Sequence, residues 1–88
     1  MHLTNHATQR RIQRNLPIDV LSTIYSFGAM AHSKGAVSLM LDEQSIMLAT
    51  EGDRQRRAHL ERYRGAYIIV GEGERVVTVA RRRRRLRR

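Results

Sequence analysis

A chain of 88 residues has room for one domain with a single modest core, and a hydrophobic share of 41% is enough to build it, which excludes an unstructured polycation. A formal net charge of +9, with a pI near 11.5, calls for a polyanionic or acidic partner. The absence of cysteine excludes disulfides and thiolate metal sites; with no membrane-length run and no apolar leader at the start, a cytoplasmic location without membrane association is expected.

Thr4 or Asn5 can cap a first helix through HATQRRIQRN, ending at about Asn15. Its apolar residues are few: Leu3, Ala7 and Ile12, with Leu16 just beyond. His6, Arg10 and Arg14 recur at i, i+4 and i+8, which puts them on one stripe. Pro17 suits the first turn of a second helix, IDVLSTIYSFG, in which Val20, Leu21 and Ile24 form the buried stripe and Gly28 the stop. Ala29 to Gly35 reads as a short strand at most. Val37 to Leu41 reads clearly as a strand, with Val37, Leu39 and Leu41 on one face.

Asp42 is placed to cap a helix over EQSIMLATEG, with Ile46, Met47 and Ala49 or Leu48 facing inward. Gly52 and Asp53 interrupt before RQRRAHLERYR, a charged and helical surface segment. AYIIV, the turn GEGE and RVVTVARR then form a β-hairpin. Helices that precede adjacent antiparallel strands predict an α+β fold: two N-terminal helices packed on a small antiparallel sheet, with a helical insert before the C-terminal hairpin. Residues 1–88 form one domain in this reading, with a basic tail from about 83–88.

The end of the chain carries the strongest signal. Seven of the sixteen arginines lie from Arg81 to Arg88, and Lys34 is the sole lysine. Arginine's planar fork grips phosphate bidentately, which favours RNA or DNA as the partner; a GC-rich coding sequence produces the same bias without that role. Strand alternation sends Thr78, Ala80, Arg82 and Arg84 to an open face, and Val77, Val79, Arg81 and Arg83 to the face under the helices. Alternatively the arginine block is a solvated tail that touches nucleic acid without choosing. Tyr67, on the neighbouring strand, adds a hydroxyl donor or stacking ring to the same surface, or is simply half packed there.

HATQRRIQRNLPIDVLSTIYSFG, followed by a Gly-Ala strand, by Asp42 at a helix start and by AYIIVGEGERVVTVARRRRRLRR, resembles a family of small bacterial proteins grouped with RelE- and BrnT-like toxins. The resemblance covers nearly the whole chain and implies the barnase–colicin–RelE fold, with RNA on the open sheet face. It implies a metal-independent ribonuclease toxin of a toxin–antitoxin module. Its partners would be RNA, free or ribosome-associated, and an acidic antitoxin protein. Where many relatives carry histidine after "T-V-x", this chain has Arg81, which removes one candidate acid or base.

Metal-free RNA cleavage needs a base for the 2′-OH proton and cations for the charge on phosphorus. His6 is the titratable candidate, with Arg82 as the phosphate-stabilising cation. Arg10, Arg14, Tyr67, Thr78, Arg81, Arg84 and Arg85 are the candidate nucleic-acid contacts. His2, His32 and His59 have no ligand spacing, so no metal and no cofactor is expected. The Gly71-Glu72-Gly73 sequence is a turn, not a phosphate loop. A non-catalytic RNA- or DNA-binding accessory protein of phage or plasmid origin is the alternative, and an adaptor that contacts another protein's nucleic-acid groove is a third.

Overall fold

In the computed structural model, which describes residues 1–82, Thr4 caps the first helix by accepting a hydrogen bond from the Ala7 N–H. This helix, α1 (Asn5–Gln13), follows a two-residue strand, β1 (His2–Leu3). Asn15, in the left-handed region at φ 55, turns the chain into α2 (Ile18–Phe27), as Asn tolerates better than most residues. Gly28 ends α2 with ordinary φ −61, but a Cβ there would lie 2.6 Å from the Ile24 carbonyl oxygen and 3.1 Å from the Leu39 Cβ, so only glycine fits the close approach.

The remaining elements are β2 (Ala29–Ser33), β3 (Ala36–Met40), α3 (Glu43–Thr50), α4 (Arg54–Glu61), β4 (Ala66–Val70) and β5 (Arg75–Arg81). The insert is thus two short helices, each capped by an aspartate: Asp42 accepts from the Ser45 N–H and Asp53 from the Arg56 N–H. At α3 the cap is reciprocal, because the Ser45 hydroxyl accepts from the Asp42 N–H at 2.8 Å.

The five strands lie in the order β1-β5-β4-β3-β2. Every neighbouring pair is antiparallel except β1 with β5. The fold is α+β as the sequence predicts, with a mixed rather than purely antiparallel sheet. Beside the parallel pair, Thr4 donates its N–H to the Val76 carbonyl as the chain leaves β1.

Leu39, Ala66, Ile68, Val76 and Val79 project from the sheet into one core with Ala7, Leu16, Val20, Leu21, Ile24, Leu41, Ile46 and Leu60. The intervening sheet residues Ser38, Met40, Tyr67, Ile69, Thr78 and Ala80 are half-buried on the opposite face. No described element covers that face.

A bulge corrects the expected faces of β5. Ile69 pairs with Thr78 but Val70 pairs with Val76, leaving Val77 as the extra residue. Val76 and Val79 therefore both enter the core, and Val77, expected inward, is only half-buried. Met47, expected inward, is 52% exposed; of the alternatives Ala49 and Leu48, Ala49 packs on the core and Leu48 is 57% exposed, and Ile12 of α1 is 61% exposed. Ala7 and Leu16 seal α1, and Ile46 with half-buried Ala49 seals α3.

Candidate nucleic-acid interface

Beyond the bulge, β5 resumes its alternation, so Thr78, Ala80 and Arg82 fall on the open side of the sheet. Tyr67 stands on β4 between Ala80 of β5 and Met40 of β3. Ser38, Met40, Tyr67, Arg81 and Arg82 line a groove of about 410 Å³ at the end of the open face. Its chemistry is one phenol ring with a hydroxyl, one serine and a cationic rim.

Arg82 is fixed there by its backbone. Its N–H donates to the Gly65 carbonyl at 2.9 Å, and Gly65, at φ +95, would place a Cβ only 3.2 Å from the Arg82 carbonyl oxygen. Both the dihedral and the contact require glycine. Arg81 points the other way: it pairs with buried Ala66, donates from its guanidinium to the Arg62 carbonyl, and lies 5.8 Å from the Tyr63 ring centroid. One arginine thus borders the groove while its head reaches the helical side of the sheet end.

Charge pairing leaves this end cationic. Glu61 engages Arg64 at 2.8 Å and Arg57 at 3.8 Å, and Glu43 also faces Arg64 at 3.9 Å. Among the described residues, Arg62, Arg81 and Arg82 have no carboxylate within ion-pair distance.

The structure does not bring His6 to Arg82. His6 is exposed in the first turn of α1, and the Thr4–Val76 hydrogen bond sets that turn beside the start of β5. Arg82 lies six residues past Val76, roughly 20 Å along an extended strand. Moreover α1 packs on the covered face, whereas Arg82 borders the open one. Half-buried Arg10 and exposed Arg14 belong to that same helical layer. Thr78, Tyr67 and Arg82 share the open face, with Arg81 at its border; Arg84 and Arg85 lie outside the described residues.

A histidine that spacing did not single out has a partner instead. His59 Nε2 lies 3.2 Å from the Asp19 Oδ2, and its ring stands edge-on to Tyr63 with centroids 5.5 Å apart. Gln55, Ala58, His59 and Arg62 line a shallow hollow of about 300 Å³. Asp19, His59, Tyr63 and Arg81 therefore form a continuous series from α2 to the end of β5. Only the i, i+4 step from His59 to Tyr63 is legible locally; the contact with Asp19 spans 40 positions and is made by helix packing.

Among the described residues no group of three or more histidine, aspartate or glutamate side chains is arranged to hold a metal ion. No described helix is long and apolar enough to cross a membrane. Compared with known proteins, the chain matches no family model, no curated protein sequence and no solved structure.

Proposed function

We propose that this protein binds single-stranded RNA on the open face of its sheet, in the cytoplasm. The observation that carries the reading is the groove in which Tyr67 and Arg82 converge beside cations that no carboxylate of the described residues pairs with. A splayed base stacks on the Tyr67 ring, Ser38 and the phenol hydroxyl supply hydrogen bonds, and Arg82 takes the adjoining phosphate. RNA is favoured over duplex DNA because the groove is short and holds a ring rather than a helix or ribbon that fills a major groove. An acidic antitoxin, the partner implied by the resemblance to RelE- and BrnT-like toxins, would compete for the same cations.

Fluorescence anisotropy with a short single-stranded RNA tests this. Tyr67→Ala removes a stacking platform worth about 1–3 kcal/mol, roughly 5- to 150-fold in affinity. Arg82→Ala weakens binding and reduces the slope of log K against log salt by about 0.7. His6→Ala leaves both quantities near wild type. Salt-insensitive binding, or equal affinity for wild type, Tyr67→Ala and Arg82→Ala, overturns the assignment.

A second reading, metal-independent cleavage by a toxin, is favoured by the His59–Asp19 pair beside Arg62 and Arg81. With Nε2 directed at Asp19, the His59 Nδ1 takes the 2′-OH proton as the 2′-oxygen attacks phosphorus. The P–O5′ bond breaks, and the departing oxygen takes a proton from water. Arginine stabilises the charge on phosphorus. Cleavage that persists in EDTA and in His6→Ala but is lost in His59→Ala, with RNA binding retained, is the expected pattern. RNA that is bound yet left whole by wild type restricts the protein to binding.

A further inference from the structure

The two edges of the sheet are built differently. At one, β1 covers β5 for only two residues, and the exposed remainder carries the Val77 bulge and Arg81, devices that discourage strand pairing. At the other, β2 has the sequence Ala-Met-Ala-His-Ser: no proline, no formal charge with histidine neutral, and an unbroken register with β3. Met30 on this strand is 63% exposed. No described strand pairs with its outer edge.

The free hydrogen-bonding groups of β2 follow from its turn. Lys34 and Gly35 both have positive φ, 49 and 79, and link Ser33 to Ala36 as a two-residue hairpin closed by a hydrogen-bonded pair. Alternation makes Ala31–Ser38 and Ala29–Met40 hydrogen-bonded pairs as well. The N–H and C=O groups of Met30 and His32 therefore point away from β3 to the open edge.

We propose that a second copy of this chain docks at this edge, β2 antiparallel to β2, about a twofold axis at Ala31. In that register Met30 faces His32 of the other copy, and the two exchange both backbone bonds; the twofold repeats the exchange. Every outward group at Met30 and His32 thereby finds a partner, which a generic strand does no better. Charge selects the same occupant. An acidic partner is drawn to the arginines at the far end of β5, whereas two molecules of charge +9 approach at least cost where the rim is neutral. Lys34 falls beyond the strand, opposite Gly28 of the other copy, so no like-charged pair forms across the seam. A twofold that relates adjacent antiparallel strands runs perpendicular to the sheet. Both open faces thus lie on the same side of one continuous sheet, with their grooves roughly 30 Å apart at the usual strand spacing.

Sedimentation equilibrium of the full chain should give about twice the monomer mass of 10.2 kDa. Met30→Lys, a change at an exposed side chain, should give a folded monomer with the parent melting profile. Ala31→Cys supplies a positive test, because the native chain has no cysteine. The paired Ala31 positions form a close non-hydrogen-bonded pair, so mild oxidation should produce a covalent dimer, and Ala58→Cys, on the exposed surface of α4, should not. A monomeric wild type across the accessible concentration range overturns the proposal. So does a dimer that survives Met30→Lys and leaves Ala31→Cys uncrosslinked. Neither result bears on RNA binding, which is read on a separate face.

Discussion

Asp42 does two jobs at the start of α3. Its carboxylate accepts from the Ser45 N–H at 2.9 Å and from the Ser45 hydroxyl at 2.8 Å. The backbone hydrogen bond from Ser45 is the main reason that its pKa is held below the ordinary carboxylate range; partial burial opposes this, and the Ser45 hydroxyl and the charge on Arg64 assist it. Asp42→Ala should cost about 1 kcal/mol, as loss of an N-cap does. The sign of the pH effect follows from the lowered value. The unfolded chain protonates Asp42 at about 3.9, and the folded chain does so at lower pH. The stabilisation is thus complete above that range and is lost as pH falls through the folded value. Urea melts of wild type and Asp42→Ala should show a gap at neutral pH that narrows in acid; a gap of constant size would assign the effect to geometry alone. Thr4 and Asp42 are legible in sequence because a cap acts over three residues. The Asp19–His59 contact is not, since neither residue's neighbours encode it.

At the level of elements, the terminal hairpin shows where periodicity stops being informative. Two-residue alternation identifies β4 and β5 as strands and correctly places Thr78, Ala80 and Arg82 on the open face. It cannot reveal an inserted residue, so it assigns Val77 to the core in place of Val76. The structure makes the difference measurable. Val76 and Ile68 are fully buried, so Val76→Asp or Ile68→Asp puts an unpaired charge into a core that cannot absorb it and should abolish the cooperative melt. Val77→Asp and Ile69→Asp, at half-buried positions on the outer side, should retain a cooperative transition at reduced temperature. Equal loss in all four variants would mean that neither the β5 bulge nor the alternation of β4 directs these side chains as described. β1 was invisible for a related reason: two residues have no period, and only the Val76 carbonyl identifies their register. In α3 four apolar residues run consecutively from Ile46 to Ala49, which does not fix the buried stripe, so Met47, read as inward, lies outward.

Across the whole molecule, the described core ends before the densest run of charge. The last core residue is Val79, and the five arginines at positions 83, 84, 85, 87 and 88 all follow it. A chain ended at Arg82 would carry a formal charge of +9 − 5 = +4, while keeping every residue of the core and the backbone bond from Arg82 to Gly65. Its melting temperature should therefore match that of the full chain. Its RNA affinity should not, because each lost arginine–phosphate contact reduces the salt slope by about 0.7 for a single strand. Combining the truncation with Tyr67→Ala separates the two contributions. Stacking at the groove is largely independent of salt, so Tyr67→Ala should lower affinity by a similar factor in both chain lengths while leaving each slope in place. If the short chain keeps the full slope, the terminal arginines do not touch RNA and the groove rim carries the electrostatics alone. If the short chain loses its cooperative melt, residues 83–88 contribute to the fold as well as to the charge.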